Sequence, residues 1–160
     1  MSNQKHTVTA LVEDKPGVLN RIASLFRRRG FNIESIVVGH SETPNLSRLT
    51  LVMGGDEAAV EQVTKQLYKL IDVVKVSDIT SADMVARELA LVKVKAPSSS
   101  RGEIIQLADI FRANIVDVAP DALIMEITGD EDKIEALLEL LRPFGIVEVM
   151  RSGRVALARA

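Results

Sequence analysis

Residues 6–13, HTVTALVE, are rich in Val and Thr and carry the short period of a strand. The period then lengthens. From Pro16 to Arg29 the apolar residues Val18, Leu19, Ile22, Leu25 and Phe26 recur at helical spacing on one face. Gly30 ends that helix, with Arg27, Arg28 and Arg29 in its last turn, where cations complement the dipole. Residues 31–42 and 45–55 read as two strands joined around Thr43-Pro44-Asn45. Asp56 predicts a helix N-cap ahead of a stripe made by Val60, Val63, Leu67, Leu70 and Ile71. Residues 73–80 close the unit as a strand. The order β-α-β-β-α-β predicts four antiparallel strands with both helices on one face.

After a linker-like patch at 81–86 the order repeats. Residues 87–95 are strand-like, 96–102 form a Ser-rich turn, and 103–112 form a helix. The segments 114–120 and 122–129 make a strand pair, 130–145 a helix, and IVEVMRS a final strand. One echo is explicit in the letters: SLFRRRGFNIESI in the first half and DIFRANIVDV in the second. The pattern therefore predicts an α+β chain of two tandem ferredoxin-like units, 1–81 and 82–160, with the copies diverged.

Composition narrows the functions this layout can carry. The formal net charge is −2 and neither half is strongly polarised, so no basic field attracts nucleic acid. Aromatic residues are only 3% of the chain and none lies in HTVTALVE or NLSRLTLVM, which removes the stacking platform of an RNA-binding sheet. Cysteine is absent, excluding disulfides, thiolate metal sites and a cysteine nucleophile. No apolar run approaches the ~20 residues of a membrane span, and the N-terminus lacks a signal-peptide core. The expectation is a cytoplasmic protein.

Catalytic candidates have plain structural explanations. His6 and His40 are expected as solvated residues at a strand start and beside a hairpin. Asp130-Glu131-Asp132 suits a helix N-terminus better than a metal site. The turn Asp14-Lys15-Pro16-Gly17 says more. A helix start offers unpaired N–H groups and a dipole that favours an anion. Pro16 fits the first helical position, and Gly17 lets a ligand carboxylate approach the N–H groups of Gly17, Val18 and Leu19. Asp14 would repel that carboxylate but attract an ammonium, so the turn suits a free amino acid, with Asn32 able to complete the site. The alternative is that Asp14 merely caps the helix and Gly17 merely relieves the turn. The residues alone leave both open.

The stretch VEDKPGVLNRIASLFRRRGFNIESI, followed by PNLSRLTLVMGGDE and EQVTKQLYKLIDVVKVSDIT, resembles an ACT domain, in particular that of the small regulatory subunits of acetolactate synthase. The second half is similar to the same family through RELALVKV, IFRANIVDV and IVEVMRSGRVALAR. That resemblance implies a non-catalytic homodimeric partner of a separate catalytic subunit, which carries thiamine diphosphate, a divalent metal and FAD. It implies no cofactor in this chain, activation of the partner, and feedback inhibition by valine in branched-chain amino-acid biosynthesis. By position, the effector contacts would be Asp14, Gly17, Val18 and Leu19, with Asn32 and Ile33 from the other protomer. Many relatives carry a neutral residue at the position of Asp14. A free-standing amino-acid sensor acting on transcription or another enzyme, and a scaffold without a ligand, are the other uses of this layout.

Overall fold

The structure, a computed structural model, describes residues 4–160. Residues 1–3, which open the expected first unit, lie outside the described residues. The chain forms two compact units, one running to Val85 and including Arg154–Ala160, the other Ala86–Gly153. The boundary expected near residue 82 thus lies a few residues later, and the C-terminal tail returns to the first unit.

In the first unit, β1 (Lys5–Glu13), α1 (Val18–Arg29), β2 (Ile33–His40), β3 (Leu46–Gly54), α2 (Glu57–Tyr68) and β4 (Val73–Asp78) follow the predicted order. The sheet order is β2-β3-β1-β4, with every pairing antiparallel. Val8, Ala10 and Val12 of β1 and Leu49, Leu51 and Met53 of β3 point to one face. There they pack against Val18, Ile22, Leu25 and Phe26 of α1 and Val60, Val63 and Leu67 of α2. Gly30 ends α1 in the left-handed region at φ 66°, and Phe31 N–H reaches back to Phe26 O, which closes the helix end. Asp56 caps α2 by accepting from Ala59 N–H at 2.9 Å. Ile71 departs from the predicted stripe: α2 ends at Tyr68, so Ile71 falls outside the helix and is 94% exposed.

The second unit contains most of β5 (Met84–Lys95), then α3 (Arg101–Ile110), β6 (Asn114–Val118), β7 (Ala122–Gly129), α4 (Glu131–Leu141) and β8 (Ile146–Arg151). Its strand order is β6-β7-β5-β8, and Ala90, Val92 and Val94 pack against Ile104, Ala108, Ile134 and Leu137. The predicted last helix stops early, passing into a short 3-10 turn at Arg142–Phe144 where Pro143 lacks a backbone donor.

The sequence pattern did not foresee two features. β5 begins at Met84, inside the linker-like patch, and a short strand β9 (Val155–Ala158) follows β8. Within the first unit β9 lies against β1 and β3. Ala156 N–H donates to Thr50 Oγ1 at 3.4 Å, and Arg154 Nη1 to Thr7 Oγ1 at 2.8 Å. Thr50 alternates with the helix-facing residues of β3, so β9 reaches the opposite face of that sheet, where Thr7, Thr50 and Val52 are buried.

Candidate functional site

The β1–α1 connection is built around one left-handed residue. Gly17 occupies the N-cap position of α1 at φ 85° and ψ −9°, a region any residue with a Cβ enters at roughly 1–2 kcal/mol. Two expectations change as a result. Pro16 lies ahead of the cap rather than at the first helical position, because the helix begins at Val18. Asp14 does not cap the helix, which has no side-chain cap. Its carboxylate lies 3.1 Å from His40 Nδ1, and its N–H donates to Asn45 O at 2.8 Å. Among the described residues the N–H groups of Gly17 and Leu19 have no acceptor, and Val18 N–H makes only a long contact of 3.4 Å to Lys15 O. The start of α1 is open to an external acceptor.

One side of the turn is tied down by Asp72, a carboxylate only 3% exposed in the α2–β4 connection. It accepts from Arg21 Nε at 2.8 Å and lies 2.7 Å from Arg21 Nη2. Lys15 Nζ is 3.8 Å from its other oxygen, and Glu13 N–H donates to its carbonyl at 2.8 Å. Lys15 also pairs with Glu13 at 2.6 Å, a hydrogen bond that holds its ammonium above the ordinary lysine value.

The other side opens into a small cleft of about 70 Å³. Val18, Leu19 and Ile22 of α1 form its roof, Asp14 and Lys15 its rim, and Val12, Ser47 and Leu49 its floor, with Val38 alongside. Strand register explains the floor. Val12, Ser47 and His40 share one cross-strand row, and Ala10, Leu49 and Val38 the next. Polar and charged groups gather at the Asp14 end, and the rest of the wall is aliphatic.

Asp14, Val18 and Leu19 therefore line one cleft, with Gly17 at its helix start. Asn32 and Ile33 do not join them within the chain. Ile33 begins β2 opposite Met53 and packs against the core, whereas His40, beside Asp14, stands at the other end of that strand. Asn32 lies against Gly54, whose N–H donates to Asn32 O at 3.0 Å. Ser47, Val38, Ile22, Val12 and Leu49 were missed by sequence reasoning. The available signal was alternation in β3, which puts Ser47 on the same face as Leu49, Leu51 and Met53.

Other candidates resolve into structure. His6 is not solvated but 3% exposed, because it lies on the helix-facing side of β1 and its Nε2 is 2.9 Å from Gly55 O. Asp130 caps α4 by accepting from Lys133 N–H at 2.9 Å. The turn of the second unit is closed by its own side chain. Ala96 N–H donates to Asp121 O, the counterpart of the Asp14–Asn45 bond. Arg101 then donates across that corner to the carbonyls of Ala96, Ala119 and Pro120.

Comparison with known proteins bears on both units. Residues 8–75 match the family described as "AHAS small subunit-like ACT domain", and residues 87–160 that described as "Small subunit of acetolactate synthase". The chain belongs to the acetolactate synthase small-subunit family. It is 59% identical over 160 residues to a probable acetolactate synthase small subunit of Methanothermobacter thermautotrophicus, covering 99% of this chain and 95% of that one. It is 52% identical over 159 residues to the acetolactate synthase small subunit of Mycobacterium bovis, covering 99% and 95%. The crystal structure of an acetolactate synthase small subunit from Thermotoga maritima superposes with a TM-score of 0.91 at 47% identity, covering 98% of both chains. In this family frame the ACT match contains the whole cleft, from Val12 to Leu49.

Proposed function

We propose that this chain is a regulatory subunit that binds the acetolactate synthase catalytic subunit, raises its activity and makes it sensitive to a branched-chain amino acid. The cleft carries the reading: open helix N–H groups, the Asp14 carboxylate beside the Glu13–Lys15 ion pair, and an aliphatic wall are complementary to a zwitterion with a branched apolar side chain. The ligand's carboxylate would take the N–H groups of Gly17, Val18 and Leu19, and its ammonium the Asp14 end. One methylene is worth only about 0.8 kcal/mol of burial, so valine, leucine and isoleucine compete, with valine the first candidate. Thiamine diphosphate, the divalent metal and FAD belong to the catalytic subunit in this reading, and the pair acts in the cytoplasm.

The sheet edge supports a dimer. β2 pairs only with β3, leaving its outer edge unpaired among the described residues. A second copy added antiparallel about a two-fold axis midway along β2 sets its Ile33 across from His40, next to Asp14. Asn32 and Ile33 of the second copy would then border the cleft that they miss within one chain.

The test is reconstitution. The chain is mixed with an acetolactate synthase catalytic subunit, and acetolactate formation is followed with and without L-valine. Activity should rise on mixing and fall with valine. Linkage demands that any valine-induced loss of association be matched by weaker valine binding in the complex. Valine binding without any effect on the catalytic subunit would favour a free-standing sensor.

A further inference from the structure

Ser47 is 5% exposed and lies on the helix-facing side of β3, a face otherwise given to Leu49, Leu51 and Met53. Its hydroxyl has no hydrogen-bond partner in the chain among the described residues, yet no buried side-chain oxygen there is left orphaned. Both facts hold only if Oγ is accessible in the cleft whose floor Ser47 forms. An unpaired hydroxyl in an aliphatic floor needs an external partner.

The partner's charge follows from the surroundings. Ser47 stands in the cross-strand row between Val12 and His40, the helix-facing row nearest Asp14, and His40 itself contacts the Asp14 carboxylate. A carboxylate there would face Asp14, whereas the open N–H groups of α1 offer it a better place. The ammonium belongs at the Asp14 end. We infer that Ser47 is a specificity-determining residue of the cleft, its Oγ accepting a hydrogen bond from the ammonium of the bound amino acid. The inference rests on the effector-site reading above and adds a contact that reading does not contain. Asp14 supplies charge at an exposed rim, and Ser47 supplies a directional acceptor inside.

The experiment compares two ligands on the intact chain. L-Valine and (S)-2-hydroxy-3-methylbutanoate differ only in ammonium against hydroxyl, and binding is followed by calorimetry and by amide NMR shifts. Ser47→Ala should weaken L-valine roughly ten- to a hundredfold, the range of a hydrogen bond to a charged group, and the hydroxy acid less, by roughly two- to tenfold, because its hydroxyl can donate only a neutral hydrogen bond. The unliganded melting curve should stay in place, because the Ser47 hydroxyl makes no hydrogen bond to another described residue and the backbone pairing of Ser47 is kept. Ser47→Cys, close in shape but a weak acceptor, should shift the ligand ratio in the same direction and guards against a misfolded alanine variant. Equal weakening of both ligands, or of neither, would overturn the inference while leaving the effector site standing. If the unsubstituted chain binds no branched-chain amino acid, the site reading fails and the inference falls with it.

Discussion

Replacing Gly17 with alanine tests the geometry of the turn directly. Gly17 sits at φ 85°, and a Cβ built there would lie 3.0 Å from Arg21 Nη1. The left-handed conformation costs alanine about 1–2 kcal/mol. The guanidinium is the flexible end of a long side chain, but Nε and Nη2 are held by Asp72, so moving it adds to that cost. The chain has one tyrosine and no tryptophan. Tyr68 belongs to the first unit, where its hydroxyl bonds to the backbone of Val76. Tyrosine fluorescence therefore reports on that unit alone. In urea, Gly17→Ala should lower the stability seen by Tyr68 by at least about 1–2 kcal/mol, a backbone cost that alone is roughly 4–16 °C in a thermal scan of a unit this size. Gly17→Asn should cost less, because asparagine tolerates the left-handed region. Gly39→Ala is the control, at ordinary φ with nothing within 4 Å of the added Cβ. A Gly17→Ala midpoint within about 0.5 kcal/mol of the parent, the range of neutral surface changes, would refute the argument.

Three further outcomes follow from the same structure. Asp72→Asn should destabilise the first unit by about 1–3 kcal/mol in the Tyr68 assay. That is below the cost of breaking a fully buried pair, because Arg21 is half exposed and water can reach it; a neutral result would mean that the anchor does not hold the turn. Hydrogen bonding to Arg48 lowers the Glu42 carboxyl to about 2. A folded-state value below the unfolded one means that the pair stabilises the hairpin above the ordinary carboxylate range, and that this contribution is lost as pH falls toward about 2. An NMR titration of the Glu42 carboxyl should show this, with Arg48→Ala returning it toward the ordinary range. Deleting residues 154–160 removes the hydrogen bonds that Arg154 and Ala156 donate to Thr7 and Thr50. Losing those two hydrogen bonds should cost about 1–3 kcal/mol by Tyr68 fluorescence; an unchanged transition would mean that the tail holds nothing of consequence.

Some of the candidate site was legible in the letters. Gly17 could be singled out because a strand end, a glycine and a helical period meet there. Val18 and Leu19 followed from the helix start. For Asp14 the letters leave two roles open, and only the fold turns it to His40 instead of capping α1. Ser47 and Val38 could not be assigned to a site, because they meet it only through the pairing of the β2–β3 hairpin with β1, which is distant in sequence.

The order of elements was fixed locally, since hydrophobic period, caps and turn residues act within a few positions of one another. That was enough for two β-α-β-β-α-β units, the Asp56 and Asp130 caps and the Gly30 helix end. Burial of His6, exposure of Ile71, the Asp72 anchor beneath the turn and the return of β9 to the first sheet depended on distant partners. Only His6 sits in a readable period, in step with Val8, Ala10 and Val12; the others have neither a period nor a motif in the sequence. A side chain's local pattern states which face it prefers, but only the packed sheet decides what stands opposite, and the cleft exists only where those opposite residues meet.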